Sequence, residues 1–171
     1  MTLQPRDESS SEGLRASDVV GDDLVMVLNS TLAAIEGGRV RMHGHLGPGL
    51  APRVVNRLEV VFEELISNIV RHGFDVAPGH SILVTVGARP GEIELTVEDD
   101  GRPFDPFSLA EPAPAESLET ARIGGLGVPV VKRFSARTHY ECAPESALWR
   151  SHVQPDARPV NRVTVAIANP G

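Results

Sequence analysis

Three short stretches decide how this chain folds: EELISNIVRHG at 63–73, EDDGRPFDP at 98–106 and GGLGVPVVK at 124–132. The first ends a run from Arg53 to His72 in which Leu58, Val61, Phe62, Leu65 and Ile69 recur at three- and four-residue spacing, the pattern of an amphipathic helix. Gly73 follows as its C-cap. Projection at ~100° per residue sets Glu64, Asn68 and Arg71 along one edge of the apolar stripe, so a carboxylate, an amide and a guanidinium face one groove. His72 projects inside the stripe and is expected to be packed or hydrogen-bonded near the site. The second stretch closes EIELTVED at 92–99, where Ile93, Leu95 and Val97 alternate with polar residues in the period of a strand with one wet face. With SILVTVGA at 81–88 and the linking Arg89, Pro90 and Gly91 it predicts an antiparallel hairpin. In the third, glycines precede a helix running from Gly127 to about Ser135, with Pro129 tolerated in its first turn. Unpaired amides at a helix start, without side chains to obstruct approach, suit a phosphate.

Taken singly, each stretch has an ordinary structural reading. Glu64 and Asn68 could belong to a solvated helix face, Asp99-Asp100-Gly101 to a hairpin exit, and Gly125 to Gly127 to a loop. The chain has no GxxxxGK followed by Ser or Thr, which excludes a P-loop, and GGLGVP is not a GxGxxG following a strand.

At 171 residues the length suits one domain, able to bury roughly two-thirds of its unfolded surface. Hydrophobic residues make up 41% but aromatics only 4%, so the core is expected to be aliphatic. The net charge of -7 argues against direct nucleic-acid binding. Cys142 is the single cysteine, so no internal disulfide can form, a thiol-rich zinc site is excluded, and the residue reads as a small hydrophobe in a strand. No apolar run approaches a membrane span and the N-terminus carries no apolar signal region, which predicts a cytoplasmic protein without membrane contact.

Outward from the three stretches, residues 1 to about 20 are polar and read as a flexible tail, leaving 21–171 as one domain. DLVMVL at 23–28 reads as an edge strand, followed by a helix from about Leu32 to His43. HGHLGPGLAP at 43–52 then reads as a Gly- and Pro-rich loop that ends this helix and carries His43 and His45 as solvated side chains rather than metal ligands. Residues 107–123 read as a mobile lid. RTHYEC at 137–142 and NRVTVAIA at 161–168 read as strands separated by an insert containing Trp149.

In this order the three stretches resemble the N, G1 and G2 boxes of the Bergerat-type ATP-binding fold shared by gyrase and histidine kinases. The FDP after the second and the GGLG opening the third most resemble its stand-alone branch, the anti-sigma-factor serine/threonine kinases of bacteria, over residues 22–168. The resemblance implies an α+β fold: a two-layer α/β sandwich with a mixed, mostly antiparallel sheet and helices on one face. It implies ATP and Mg²⁺ as cofactors, with Glu64 as general base, Asn68 as the magnesium ligand, Asp99 accepting the adenine amino group and Gly101 leaving room for the ring. Gly125, Leu126 and Gly127 would cradle the phosphates and Arg71 would stand beside them. Arg122 is the candidate for the basic residue that the family carries before the glycine box.

The activity implied is phosphorylation of a small antagonist protein of the STAS type, in transcription regulation, with a sigma factor or response regulator as a further partner and a homodimer as the assembly. Two other readings stand beside it. One is a non-catalytic switch whose nucleotide chooses the partner it sequesters; the other is a histidine-kinase catalytic module acting in trans. The Gly-Pro loop near residue 48 and the Trp149 insert exceed the family's usual lengths and are expected to carry partner specificity.

Overall fold

The structure is a computed structural model that describes residues 13–74, 79–108, 127–153 and 159–170. Six strands form one sheet: β1 Leu14–Val20, β2 Asp23–Asn29, β3 Ser81–Arg89, β4 Glu92–Asp99, β5 Arg137–Ala143 and β6 Val160–Ala168. Their order is β1-β2-β3-β4-β6-β5 and all five ladders are antiparallel. The helices are α1 Ala33–Leu46, α2 Pro52–Asn68, α3 Gly127–Phe134 and the short α4 Ala147–His152. A π-helical turn, Ile69–Gly73, continues α2.

Alternation along each strand builds two cores from one sheet. Leu24, Met26 and Leu28 of β2, Ile82, Val84 and Val86 of β3, and Ile93, Leu95 and Val97 of β4 face α1, α2 and α3 in the main cluster, which also holds Val163, Val165 and Ile167 of β6. The aliphatic stripe of α2, with Leu58, Val61, Phe62, Leu65 and Ile66, closes it from above. Val25, Val27, Leu83 and Val160 point the other way and are covered by Trp149, which is 3% exposed. Thus α4 adds a small second layer behind the sheet, while the three longer helices lie together in front.

Several local expectations change. Leu14–Val20 is a strand paired with β2 and tied to β3 by Arg15 Nη1 donating to Ser81 Oγ at 2.7 Å, so residues 14–20 are not part of a tail and β2 is an interior strand, while 1–12 lie outside the described residues. The missed signal is Gly21-Asp22 between two apolar stretches, with Gly21 at φ 64, a conformation suited to a two-residue hairpin turn. Helix α1 runs three residues beyond His43, because Gly44 costs only part of a turn's stability and the first proline comes at Pro48. His43 and His45 therefore stand in its last turn, beside Glu59 and the Asp22 carbonyl, not in a loop. Cys142 lies in β5 but is exposed. Of the expected lid only Phe107 and Ser108 are described, in a short 3-10 turn; 109–123 fall outside the described residues. Lys132 of α3 donates to the Phe107 carbonyl at 3.0 Å, tying that turn to the helix.

Candidate functional site

Strand β4 ends at Asp99, which is 4% exposed. Its Oδ1 accepts from the Gly101 N–H at 2.9 Å and from Asn161 Nδ2 at 3.0 Å. Burial pushes this carboxyl up from 3.8 to about 6, against the pull of those two hydrogen bonds. Asn161 reaches it because the β4–β6 register pairs the two residues directly. The same amide nitrogen donates to the Gly101 and Arg102 carbonyls at 3.2 and 3.1 Å, and Tyr140 Oη donates to Asn161 Oδ1 at 2.9 Å. Neighbouring Asp100 is engaged by His80 Nδ1 at 3.1 Å, and the His80 ring stacks on Phe74 with centroids 4.4 Å apart.

The end of α2 presses on this turn. Arg102 N–H donates to the Gly73 carbonyl at 2.9 Å. A Cβ on Gly101 would lie 2.5 Å from that carbonyl oxygen and 2.7 Å from Asp99 Oδ1, so only glycine permits the approach. The π turn is what sets the Gly73 carbonyl there, a deviation of the kind found at functional sites. It also turns His72 outward: of the two states expected for this residue, packed or hydrogen-bonded near the site, its exposed side chain is not packed, while its carbonyl accepts from Arg102 Nη2 at 3.4 Å.

At the other end, Glu64 and Asn68 are half-buried and Arg71 is exposed. A Cβ on Gly127 would run into the Glu64 carboxylate, so the first turn of α3 lies directly on that side chain. A negative charge is favoured at such a helix start. A cleft of about 380 Å³ opens between α1 and α2, with Ile35, Glu36 and Arg39 on one wall and Glu64, Ser67 and Arg71 on the other. Glu64 and Arg71 thus share a groove as expected. Asn68 is not part of its lining, because Ser67 and Asn68 sit ~100° apart on the helix and the cleft opens on the Ser67 flank. Asp99 lies outside it too. Gly125, Leu126 and Arg122 fall outside the described residues.

The structure therefore brings the helix, the strand exit and the glycine-started helix to one end of the sheet. The family model for the histidine kinase-like ATPase domain matches residues 30–148. The chain belongs to that family. Two curated proteins are similar to it: a serine/threonine-protein kinase, BtrW, of Bordetella bronchiseptica, 33% identical over 86 residues, and an anti-sigma F factor of Oceanobacillus iheyensis, 26% identical over 92. These alignments cover 49% and 53% of this chain and 59% and 62% of the relatives, so the chain spans about three-fifths of their length. Among solved structures, the histidine kinase domain of a blue-light-activated kinase from Erythrobacter litoralis aligns over 91% of this chain and 64% of its own, at 15% identity and a TM-score of 0.41. The resemblance read from the three boxes is borne out at the level of the family, and with it the α+β fold of sheet and helices, with the sheet antiparallel throughout rather than mixed and the short α4 lying behind it rather than on the face of the other helices. No helix among the described residues is long and apolar enough to cross a membrane.

Sequence reasoning noted Asn161 only as the opening of the last strand and passed over Tyr140. The family match stops at residue 148, before β6, and the contact of Asn161 with Asp99 is visible only through the strand register.

Proposed function

We propose that this protein is an ATP-dependent serine/threonine protein kinase of the anti-sigma-factor type, moving the γ-phosphoryl group of ATP to a hydroxyl of a small STAS-type antagonist protein. The observation that carries this reading is Glu64: its carboxylate lies against the first turn of α3, at the glycine box, and also lines an open cleft. A base that serves phosphoryl transfer must reach both the phosphate cradle and an incoming hydroxyl.

In this reading adenine's amino group donates to the Asp99 carboxylate while Gly101 lets the ring approach. The phosphates extend toward the amides of Gly125, Leu126 and Gly127, with Arg71 neutralising charge from the cleft side. Among the described residues no group of three His, Cys, Asp or Glu could hold a metal ion by itself. The donor set fits magnesium, which takes one or two protein oxygens with the rest from phosphate and water; Asn68 would supply the amide oxygen, and the ion would supply charge neutralisation at the phosphates. The acceptor hydroxyl, entering along the cleft, gives its proton to Glu64 as its oxygen bonds to the γ-phosphorus, and ADP departs.

The relative named as a serine/threonine-protein kinase supports the transferase, and the one named as an anti-sigma F factor supports a sigma factor as second partner. Homodimerisation and residence in the cytoplasm belong to the same proposal. Trp149 itself is committed to the core, so partner choice by its insert would rest on the insert's other residues.

The test is phosphotransfer to a purified STAS-type partner, followed by mass spectrometry, beside calorimetric titration with ATP. Glu64→Gln is expected to lower the transfer rate by about 10²- to 10⁴-fold while ATP affinity stays within about threefold. Transfer at the wild-type rate by Glu64→Gln would remove the base from the mechanism. A folded wild-type protein that binds ATP but modifies no hydroxyl would leave the nucleotide-dependent switch in its place.

A further inference from the structure

Among the described residues, every hydrogen bond to the Asp99 carboxylate goes to Oδ1, from Gly101 N–H and Asn161 Nδ2. Oδ2 is the oxygen left for a ligand. How well it is aimed depends on whether the carboxylate can turn about its own bond, and that depends on Asn161.

The orientation of the Asn161 amide is settled by its surroundings. One end faces three acceptors at once: Asp99 Oδ1 and the carbonyls of Gly101 and Arg102. Only the NH₂ end can donate toward these acceptors, its two protons shared among the three, so the amide oxygen must face the other way, toward Tyr140. The Tyr140 hydroxyl donates its proton to that oxygen, Asn161 Oδ1, at 2.9 Å. The chain of donors runs in one direction: Tyr140 Oη, Asn161 amide, Asp99 Oδ1. Each link removes an alternative orientation from the next.

Two strands supply this relay. The register sets Asp99 opposite Asn161 and Cys142 on its other side, and Tyr140 lies two residues along β5 on the same face. Tyr140 is partly buried against the main core, so its ring is held by packing as well as by its hydroxyl.

We propose that Tyr140 and Asn161 are positioning residues for base selection: they lock the Asp99 carboxylate so that Oδ2 meets a 6-amino purine as an acceptor and repels a 6-oxo purine. The inference rests on the adenine reading of Asp99 and goes beyond it by assigning the selectivity to two side chains that need not touch the ligand. An acceptor fixed in one direction discriminates against a second acceptor; one free to turn away does not.

Calorimetric titration with ATP and ITP, which differ at the 6-position, tests this on wild type, Tyr140→Phe and Asn161→Ala. The wild type is expected to favour ATP by ~100-fold or more, the scale at which a misplaced acceptor is rejected. Tyr140→Phe keeps the ring and the fold. It is expected to cut the ATP/ITP ratio by about tenfold, mainly through weaker ATP binding, with Asn161→Ala cutting it further. A merely structural role would weaken both nucleotides together and leave their ratio unchanged. An unchanged ratio in Tyr140→Phe therefore overturns the positioning role while leaving the adenine site intact. A wild-type protein that binds neither nucleotide overturns the adenine reading itself.

Discussion

The two ends of the site are built from opposite materials. At the Asp99 end the carboxylate is buried, two of its neighbours are glycine and asparagine held by strand register, and the closest approach is backbone to backbone. At the Glu64 end the side chains project from a helix into a cleft, half-buried or exposed, and the closest approach is a helix start against the tip of a flexible side chain. The first arrangement suits recognition of a rigid, planar group. The second suits a reaction in which one protein must admit a segment of another and a carboxylate must take up a proton.

Gly101→Ala should test this contrast most severely. The new methyl would meet the Gly73 carbonyl and Asp99 Oδ1, neither of which can swing aside. Unfolding by denaturant is expected to show a loss of about 1–3 kcal/mol, with ATP affinity down at least tenfold. Gly127→Ala makes an apparently similar collision, but with the Glu64 carboxylate, which can rotate away. Stability should change by less than about 1 kcal/mol, whereas phosphotransfer should drop about tenfold because the proposed base is displaced. If Gly127→Ala proved as destabilising as Gly101→Ala, the distinction between a rigid and a yielding end would collapse.

A smaller effect sharpens the comparison from the rigid side. Burial holds the Asp99 carboxyl at about 6 in the folded protein against 3.8 ordinarily. A raised folded value means that its favourable contribution is fully present below 3.8 and is lost as pH rises through about 6. The difference corresponds to on the order of 3 kcal/mol, an upper bound given its two hydrogen bonds and the nearby Asp100 and His80. Asp99→Asn, which cannot ionise, should therefore be more stable than wild type at pH 7.5, with the gap narrowing toward pH 4 in thermal unfolding. A gap independent of pH would show that ionisation of Asp99 carries no folding cost.

One alternation in β4 places these demands on different faces. Asp99 turns toward the helices, Asn161 and the site. Glu98, next in the chain, turns behind the sheet, where Arg162 Nε donates to its Oε1 at 2.8 Å and Ser146 Oγ to its Oε2 at 2.6 Å. Ser146 also caps α4 by accepting from the Trp149 N–H at 2.9 Å. The adjacent Glu98 and Asp99 thus join the site to the rear layer, a division that the letters alone do not reveal.

Much was legible in the residues themselves. The three- and four-residue recurrence of α2, the period-two alternation of β4 and the turn at Pro90-Gly91 are local physics, and they appear where expected. The shared groove of Glu64 and Arg71 follows from helical spacing, while the glycine box was joined to them only by the resemblance. What tertiary structure alone decided comes from contacts distant in sequence. The β4–β6 register brought Asn161 to Asp99 across 62 positions, and β5 brought Tyr140 behind it. A π turn, indistinguishable from α-helix by apolar spacing, moved His72 out and the Gly73 carbonyl in. Trp149, read as an insert, became the core of the rear face because aliphatic side chains on that face of the sheet required a cover. Local periodicity determines which elements form; the burial and hydrogen bonding available only after they pack determine which side chains become the site.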